Sequence, residues 1–461
     1  MISNNRKLPI GVQDFEKLRS GGNIYVDKTA YIHQLTTIDA PYFLSRPRRF
    51  GKSLFLSTLK AYFLGKKELF DGLAISELEN DWLEYPVFYL DMNVEGYLNI
   101  DSLYQALDTN LRQLEEQWDK NETETTPASR LLGLIHRAYE KSGRKVVILV
   151  DEYDKPLVNT LDKADVNESM REVLKGFYGI LKSADAYLRF VFLTGVTKFS
   201  KVSVFSDLNN LMDISLNEEF SGICGISETE LVTYFEPEID RLAQKRNLTY
   251  QTVLDMLKKH YDGYRFAKIS EEMYNPFSVL NTFFNRDFGD YWFSTGTPTF
   301  LAKMLKEGHF EIPDLENNVH VSVSDITNYK VGLNNPIPIL YQSGYLTIKD
   351  YDTEFEEFIL GFPNEEVKYG FLRELLPAYA PQYAVHQKFS AVSFIKTLRT
   401  GNIDSFMENL RAFYAGIPYD LNKNENKDER YYQFIFYLLV TLMGQFIQTE
   451  VKTARGRIDA V

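Results

Sequence analysis

The chain has 461 residues, which is too long for a single hydrophobic core and predicts two to four domains, of which we expect three. A hydrophobic fraction of 44% and an aromatic fraction of 14% exclude a disordered chain. The single cysteine, Cys224, excludes an internal disulfide and a Cys-based zinc cluster, and the net charge of −13 disfavours general binding to nucleic-acid backbones.

The N-terminal segment has no long apolar stretch, so no signal peptide is expected. The longest apolar helix candidate, residues 434–443, is too short to span a bilayer. Together with the unpaired cysteine, these features predict a cytoplasmic protein without a membrane partner.

In the first half, short β-rich runs alternate with longer amphipathic stretches, the pattern of βα units around a parallel sheet. Helices are predicted at residues 53–63 and between Pro127 and Gly143. The predicted strands are residues 42–44, 87–90, 146–150, 190–193 and 214–216. An α/β domain is therefore expected over residues 1–222.

A phosphate-binding loop is predicted after the first strand, where Arg46 to Ser53 read Arg-Pro-Arg-Arg-Phe-Gly-Lys-Ser ahead of a helix. Backbone amides at the helix N-terminus would bind phosphates, Lys52 would reach the β- and γ-phosphates, and Ser53 would ligate Mg²⁺. Arg46 stands where the consensus has its first glycine, and a Gly-Lys-Ser tripeptide alone is a weak signal. The predicted nucleotide-binding residues of the loop are Arg48, Arg49, Phe50, Gly51, Lys52, Ser53 and Leu54.

Arg48 and Arg49 would contact phosphates or the nucleotide of a partner subunit. The alternative is that they are solvated or salt-bridged, as exposed loop arginines commonly are.

The second part of a nucleotide site is predicted where the apolar strand at residues 146–150 runs into Asp151 and Glu152. Asp151 would bind Mg²⁺ through water, and Glu152 would act as the general base on the attacking water. Thr194, after the next strand, is a candidate sensor beside the γ-phosphate, with an ordinary turn as the alternative. The loop motif and the acidic strand end are each common on their own. The prediction of nucleotide binding therefore rests on finding both, in this order along the chain.

From Ile226 onward the pattern is mostly helical, beginning with a capping box at Ser227 and Glu230 and continuing with a helix near residues 249–261. A helix ending near Gly344 precedes two β-like runs at residues 345–349 and 355–360. This part, residues 223–370, is expected to form a helical lid or winged-helix-like module. Arg265 within it is a candidate second sensor of the nucleotide.

Five segments together resemble the bacterial AAA-ATPase-like family whose members carry a C-terminal PD-(D/E)XK nuclease-like domain. They are residues 25–29, 46–53, 151–156, 261–266 and 456–461. The resemblance implies an ATPase of the additional-strand-catalytic-glutamate class, with sheet order 5-1-4-3-2 and with ATP and Mg²⁺ as ligands. An arginine in place of the first loop glycine is usual in that family.

The resemblance also implies a nuclease-like domain over residues 371–461. Glu429, near the start of a helix, and Asp459, on a strand, are its candidate Mg²⁺ ligands. An alternative role for Glu429 is a favourable interaction with the helix dipole. No Glu-x-Lys strand follows Asp459, so an incomplete restriction-endonuclease-like domain is expected, without nuclease activity.

Three hypotheses stay open. The first is an ATP-driven switch or motor subunit in which nucleotide changes how the helical module and the C-terminal domain are held. The second is a Mg²⁺-dependent nuclease, acting on DNA or RNA, with a regulatory P-loop domain. The third is a nucleotide-binding interaction protein with little turnover, because sites assembled in a homo-oligomer often need an arginine from the partner.

Overall fold

The computed structural model describes residues 7–94, 96–198, 210–295, 315, 319–327, 335–379, 394, 396–397, 399–415, 429–442, 449–453 and 456–460. None of the helices in this part of the chain has the length and apolarity that crossing a bilayer requires.

The N-terminal region is built on a five-stranded parallel sheet. Its strands are β1 (Pro41–Ser45), β2 (Val87–Asp91), β3 (Val146–Asp151), β4 (Leu188–Gly195) and β5 (Met212–Asp213). Across the sheet they follow the order β5-β1-β4-β3-β2, and β3 is buried along its whole length. Because β4 lies between β1 and β3, the segments that follow these three strands meet at one edge of the sheet.

Helices with an apolar face surround this sheet, and some of them begin at a side-chain cap. One helix begins at a capping box on Thr126, has Pro127 at its first position, and ends at Gly143 with φ of 66°. The described helices of this region are α1 (Phe15–Ser20), α2 (Ala30–Thr36), α3 (Lys52–Phe63), α4 (Ile75–Leu78), α5 (Ile100–Trp118), α6 (Pro127–Ser142), α7 (Lys155–Val158) and α8 (Ala164–Ser183). α5, α6 and α8 pack against one another.

The first four predicted strands and both predicted helices are confirmed, whereas the fifth strand was predicted too late in the chain. Residues 214–216 follow β5 instead of forming it. The reason lies in Ser215, whose backbone N–H donates to Asp213 Oδ1 (2.9 Å) and whose hydroxyl accepts from the backbone N–H of Ser45 (2.9 Å). These side-chain hydrogen bonds replace strand pairing and turn the chain.

A second module begins with α9 (Glu228–Arg246), α10 (Tyr250–Tyr261) and α11 (Pro276–Asn285), which share a separate apolar core. The predicted capping box at Ser227 and Glu230 is confirmed. An antiparallel sheet follows, in the order β6-β8-β7, with its strands at β6 (Val319–Ser322), β7 (Thr347–Asp352) and β8 (Glu357–Gly361). Between β6 and β7 lie α12 (Val323–Thr327) and α13 (Ile337–Gln342).

β7 and β8 correspond to the two predicted β-like runs, but β6 was not predicted. Its four residues, Val-His-Val-Ser, contain only two apolar side chains, too few to give a periodic signal.

The remaining described elements are α14 (Glu365–Tyr379), α15 (Ile403–Ala415), α16 (Glu429–Leu442), β9 (Thr449–Thr453) and β10 (Gly456–Ala460). β9 and β10 form an antiparallel pair, and α14 packs against α16. The main apolar core runs without interruption from the five-stranded sheet to side chains of α14 and α16. The domain limits at residues 222 and 370 stay predictions.

A buried carboxyl group joins the second module to α14. Glu366, in the first turn of α14, is 2% exposed, and its two oxygens accept from the Ser278 hydroxyl and the Trp292 backbone N–H, both at 2.7 Å. Burial raises the pKa of Glu366 to about 7, although these hydrogen bonds act against the increase. The group therefore changes its charge near neutral pH.

The raised pKa of Glu366 predicts a pH dependence of stability. The folded state binds this proton more tightly than the unfolded chain, so the associated stability is present below about pH 4.5 and is lost as pH rises towards about 7. Glu366→Gln stays neutral, so its melting temperature relative to that of the natural protein should rise between about pH 5 and about pH 7.5. Thermal unfolding at both pH values measures the difference, and a pH-independent difference would contradict the assignment. The pKa of Asp262 is also raised to about 7, but Asp262 is present in both proteins, so its effect on the melting temperature cancels in the difference.

Candidate functional site

The predicted phosphate loop connects β1 to α3 at the edge where β1, β3 and β4 end. Gly51, the residue before α3, has φ of 97°, and Arg49 has φ of 68°. The left-handed region suits glycine and is costly for other residues. Since α3 begins at Lys52, the free N–H groups of its first turn lie at the end of the loop, an arrangement that binds phosphate.

Lys52 is buried between this loop and the acidic end of β3. Its Nζ donates to the carbonyl oxygens of Arg46 (2.8 Å) and Pro47 (3.0 Å). Burial lowers the pKa of Lys52, and the charges of Glu152, Asp151 and Asp154 act in the opposite direction. Among the described residues, the ammonium group thus donates to neutral carbonyls of its own loop, from which a phosphate oxygen would attract it.

Arg46 turns away from the loop and serves as an anchor. Its buried guanidinium donates to the carbonyl oxygens of Ser45 (2.9 Å), Ser215 (2.8 Å) and Phe220 (3.1 Å), and it lies 4.2 Å from the centre of the Phe266 ring. The side chain that replaces the first glycine of the consensus therefore ties β1 to the segment after β5.

The next two arginines are stacked on aromatic rings of the second module. The Arg48 guanidinium lies 5.1 Å from the Trp292 ring centre, and that of Arg49 lies 4.6 Å from the Phe277 ring centre. Burial lowers the pKa of Arg48, and its Nη2 has no hydrogen-bond partner among the described residues. Neither guanidinium forms a salt bridge with a described residue, and Arg49 is exposed to solvent, as the alternative to phosphate contact allowed.

The acidic end of β3 is joined to β4 and β2. Asp151 Oδ1 accepts from the Thr194 hydroxyl (2.8 Å), and Oδ2 accepts from the Tyr89 hydroxyl (3.3 Å). Asp91 pairs with Asp151 in the sheet, and the pKa of Asp91 is raised by burial and by the charges of Asp151 and Glu152. Asp91, Asp151 and Glu152 therefore lie close together at this edge, and Asp91 was missed although β2 also ends on an aspartate.

Metal binding at this edge would need further ligands. Among the described residues, no group of three His, Cys, Asp or Glu side chains is placed to bind a metal ion. Mg²⁺ keeps several waters and commonly uses phosphate oxygens, so one or two carboxylates suffice when nucleotide is present.

Glu152 leaves the strand in a left-handed conformation, with φ of 51°. Its Oε2 lies 3.3 Å from Lys155 Nζ but forms no hydrogen bond with any described residue. A non-glycine residue in this region is strained, and such strain is frequent at functional sites. The carboxylate is thereby available to a bound water.

Asp154 joins the ends of β3 and β4. Its carboxylate accepts from the backbone N–H of Val196 (3.1 Å) and from the N–H and hydroxyl of Thr197 (both 2.5 Å). Burial raises the pKa of Asp154, and the Thr197 hydrogen bonds act against the increase. Sequence reasoning missed this role, although Asp154 lies in the segment 151–156 that carries part of the family resemblance.

A small apolar cleft of about 90 Å³ opens beside Gly51. It lies between the N-terminal segment, the start of α3, the residues before α9, and α11, and it brings together side chains that are far apart in the sequence. Its apolar walls include Tyr25, Val26, Phe50, Leu54, Phe55, Ile223, Ile226, Phe235 and Leu280. This volume is below the range of about 300–1,000 Å³ that small-molecule sites usually have.

Comparisons with known proteins agree with this geometry. The family described as predicted AAA-ATPases matches residues 9–205. The chain is also 36% identical, over 462 residues, to an uncharacterized protein in the vnfD 5′ region of Azotobacter chroococcum mcd 1, an alignment covering 99% of this chain and 87% of that protein. The chain belongs to the AAA-ATPase-like family.

The part of this AAA-ATPase-like protein that matches the family contains β1 to β4, the phosphate loop, Asp151 and Glu152. The predicted family resemblance is confirmed for the ATPase region. The predicted nuclease-like domain lies outside the matched residues and has no support from either comparison.

The remaining predicted site residues lie in several places. Ser53 is the second residue of α3, and Leu54 lines the apolar cleft. Arg265 contacts β7, where its Nη1 donates to the Lys349 carbonyl (2.9 Å), and its Nη2 lies 3.7 Å from Glu272. Its role as a second sensor stays a prediction.

Glu429 is the first residue of α16, and Asp459 lies on β10. Their side chains lie outside the described part of the structure, so their role as Mg²⁺ ligands stays a prediction.

Gly195→Ala should disturb the junction made by Asp154. A Cβ at this position would lie 2.6 Å from Asp154 Oδ1 and 2.7 Å from the Tyr153 ring, so these groups must separate. We expect a loss of about 1–3 kcal/mol of stability, which thermal unfolding would detect as a lower melting temperature. The matched control is Gly176→Ala on α8, where a Cβ has no neighbour within 4 Å. Equal melting temperatures for the two variants would show that the junction tolerates the methyl group.

Proposed function

We propose that this protein is an ATP-binding, ATP-hydrolysing switch that uses Mg²⁺ and acts on its helical module and C-terminal elements. The observation that supports this most directly is the buried position of Lys52, at the N-terminus of α3 and within range of the charges of Asp151 and Glu152. A cation beside free helix amides on one side and two carboxylates on the other is suited to a Mg²⁺-nucleoside triphosphate.

Each residue at this edge has a distinct role in the proposal. Lys52 would exchange the two loop carbonyls for β- and γ-phosphate oxygens, and Ser53 would be a ligand of Mg²⁺. Asp151 would hold the hydrated metal, and Glu152 would accept a proton from the attacking water. Thr194, which donates to Asp151, reports on the γ-phosphate through that contact. The position of β4 between β1 and β3 supports an ATPase of the additional-strand-catalytic-glutamate class.

The small apolar cleft beside Gly51 would take the base of the nucleotide if it widened on binding. Its walls are aliphatic and aromatic, which suits a flat purine ring next to the phosphate loop. Adenine is favoured because the sequence has no Asn-Lys-x-Asp segment of the guanine-specific kind. The cleft is lined partly by α11 and the residues before α9, so base binding would also engage the helical module.

Lys52→Ala should reduce ATP affinity about 10- to 150-fold, because it removes a charge-assisted contact worth roughly 1.5–3 kcal/mol. Calorimetric titration with ATP and Mg²⁺ measures the effect. Lys67→Ala, which removes an exposed lysine just beyond α3, is the control and should bind ATP as the natural protein does. Unchanged affinity in Lys52→Ala would remove the phosphate-loop assignment.

Glu152→Gln should bind ATP with unchanged affinity but release phosphate far more slowly, because the amide keeps the size of the side chain and cannot act as the base. Asp151→Asn should instead weaken the Mg²⁺-dependent part of binding. Glu168→Gln is the matched control, because Glu168 also pairs with a cation three residues later, Arg171, at 2.8 Å. If Glu152→Gln hydrolysed ATP at the natural rate, Glu152 would have a structural role and would not be the base. If the natural protein bound ATP tightly without hydrolysing it, the alternative of a nucleotide-binding interaction protein would be favoured.

The nuclease alternative rests on the family resemblance of residues 456–461 and on the positions of Glu429 and Asp459. Labelled single- and double-stranded DNA and RNA, incubated with the protein and Mg²⁺ or Mn²⁺, provide the test. Cleavage that Asp459→Ala abolishes would support this alternative over the switch.

A further inference from the structure

Among the side chains of the second module that contact the phosphate loop, the indole of Trp292 donates a hydrogen bond to the loop backbone. We propose that Trp292 is a positioning residue for the nucleotide site, which fixes the loop at Arg48 and is itself fixed by Glu366. The inference rests on the proposed function, since it assigns a role to the loop as a nucleotide site.

Two contacts connect Trp292 to the loop. Its Nε1 donates to the carbonyl oxygen of Arg48 at 3.0 Å, and its ring lies beneath the Arg48 guanidinium. The side chain is fully buried, and Tyr345 packs edge-on against it with ring centres 5.4 Å apart. The indole therefore has a fixed orientation from which its N–H reaches the loop backbone.

The hydrogen bond decides which way one peptide group of the loop faces. A trans peptide is planar, with its C=O and the following N–H pointing in opposite directions. Because the Arg48 carbonyl points to Trp292, the N–H of Arg49 points away from it, in a direction where no described residue accepts from it. Backbone N–H groups of this kind bind phosphates in nucleotide loops.

The loop also needs an external constraint, because Arg49 has φ of 68°. A left-handed conformation costs a non-glycine residue about 1–2 kcal/mol unless its surroundings compensate. The hydrogen bond from Trp292 acts on the peptide directly before this residue. Without it, a larger fraction of the protein would populate other loop conformations, and the apparent nucleotide affinity would fall by that fraction.

Glu366 fixes Trp292 on the opposite side. It accepts from the Trp292 backbone N–H at 2.7 Å, and its second oxygen accepts from Ser278 on α11. Since Glu366 belongs to α14, and α14 packs against α16, the contacts extend from the phosphate loop to the C-terminal helices.

Trp292→Phe tests the inference, because phenylalanine keeps an aromatic ring under Arg48 and removes only the indole donor. We expect affinity for ADP with Mg²⁺, measured by calorimetry on the full chain, to fall about 2- to 12-fold, the range that one neutral hydrogen bond spans. Trp82→Phe is the matched control, because Trp82 Nε1 donates to the Glu79 carbonyl at 3.1 Å and its ring packs on Tyr62, at the far end of α3. That variant loses the same kind of bond and should keep its affinity for ADP.

Glu366 is tested with two replacements of similar size. Glu366→Met removes both acceptors and should weaken ADP binding, whereas Glu366→Gln keeps an acceptor for the Trp292 amide and should restore it. If Glu366 acts through Trp292, the two losses of ADP affinity should not add. The double variant with Trp292→Phe and Glu366→Met should then bind ADP about as well as the single variant that has the lower affinity. Additive losses would overturn the link between the two residues.

The outcomes separate this inference from the proposed function. If the natural protein binds ADP and Trp292→Phe binds it equally well, the positioning role is wrong and the nucleotide site stands. If the natural protein binds neither ADP nor ATP, the assignment of the nucleotide site is wrong, and so is the role of Trp292 that rests on it. Thermal unfolding of each variant with and without ADP distinguishes a change in affinity from a loss of folded protein.

Discussion

The buried ammonium group of Lys52 is the interaction on which the rest of the site depends. A cation inside a protein must find partners, since its transfer from water is costly. Here the partners are two carbonyl groups of its own loop, and the neighbouring carboxylates offset part of the burial. This arrangement explains why the loop is compact and why the acidic end of β3 must lie beside it.

Arg46, which replaces the first loop glycine, is a second buried cation that must find hydrogen-bond partners. In this structure the guanidinium of Arg46 donates to three backbone carbonyls and stacks on Phe266, so it stabilises the junction between β1, the segment after β5 and the second module. The loop is therefore bounded by protein on the side opposite the sheet. Its shape depends on tertiary contacts to a greater extent than a glycine-rich loop of the same length would.

Sequence patterns predicted those features that are local. Alternating β-rich and amphipathic runs located β1 to β4, Pro127 and Gly143 located α6, and the capping box at Ser227 located the start of α9. Asp154 and Trp292 could not be predicted in this way, because their partners lie about 40 and 240 residues away in the chain, as the contacts with Thr197 and Arg48 show. The apolar cleft is likewise assembled from distant segments, none of which has a distinctive pattern of its own.

The proposed change of partners at Lys52 bears on the crowded surroundings of Pro47. If Lys52 donated to a phosphate, the carbonyls of Arg46 and Pro47 would lose their donor and would need water or another group. Pro47 has little room to adjust, since a Cβ on Gly344, which has φ of 88°, would lie 2.6 Å from its Cβ. In the proposed function, a movement of this peptide would therefore first affect the segment between α13 and β7, where only glycine fits beside Pro47.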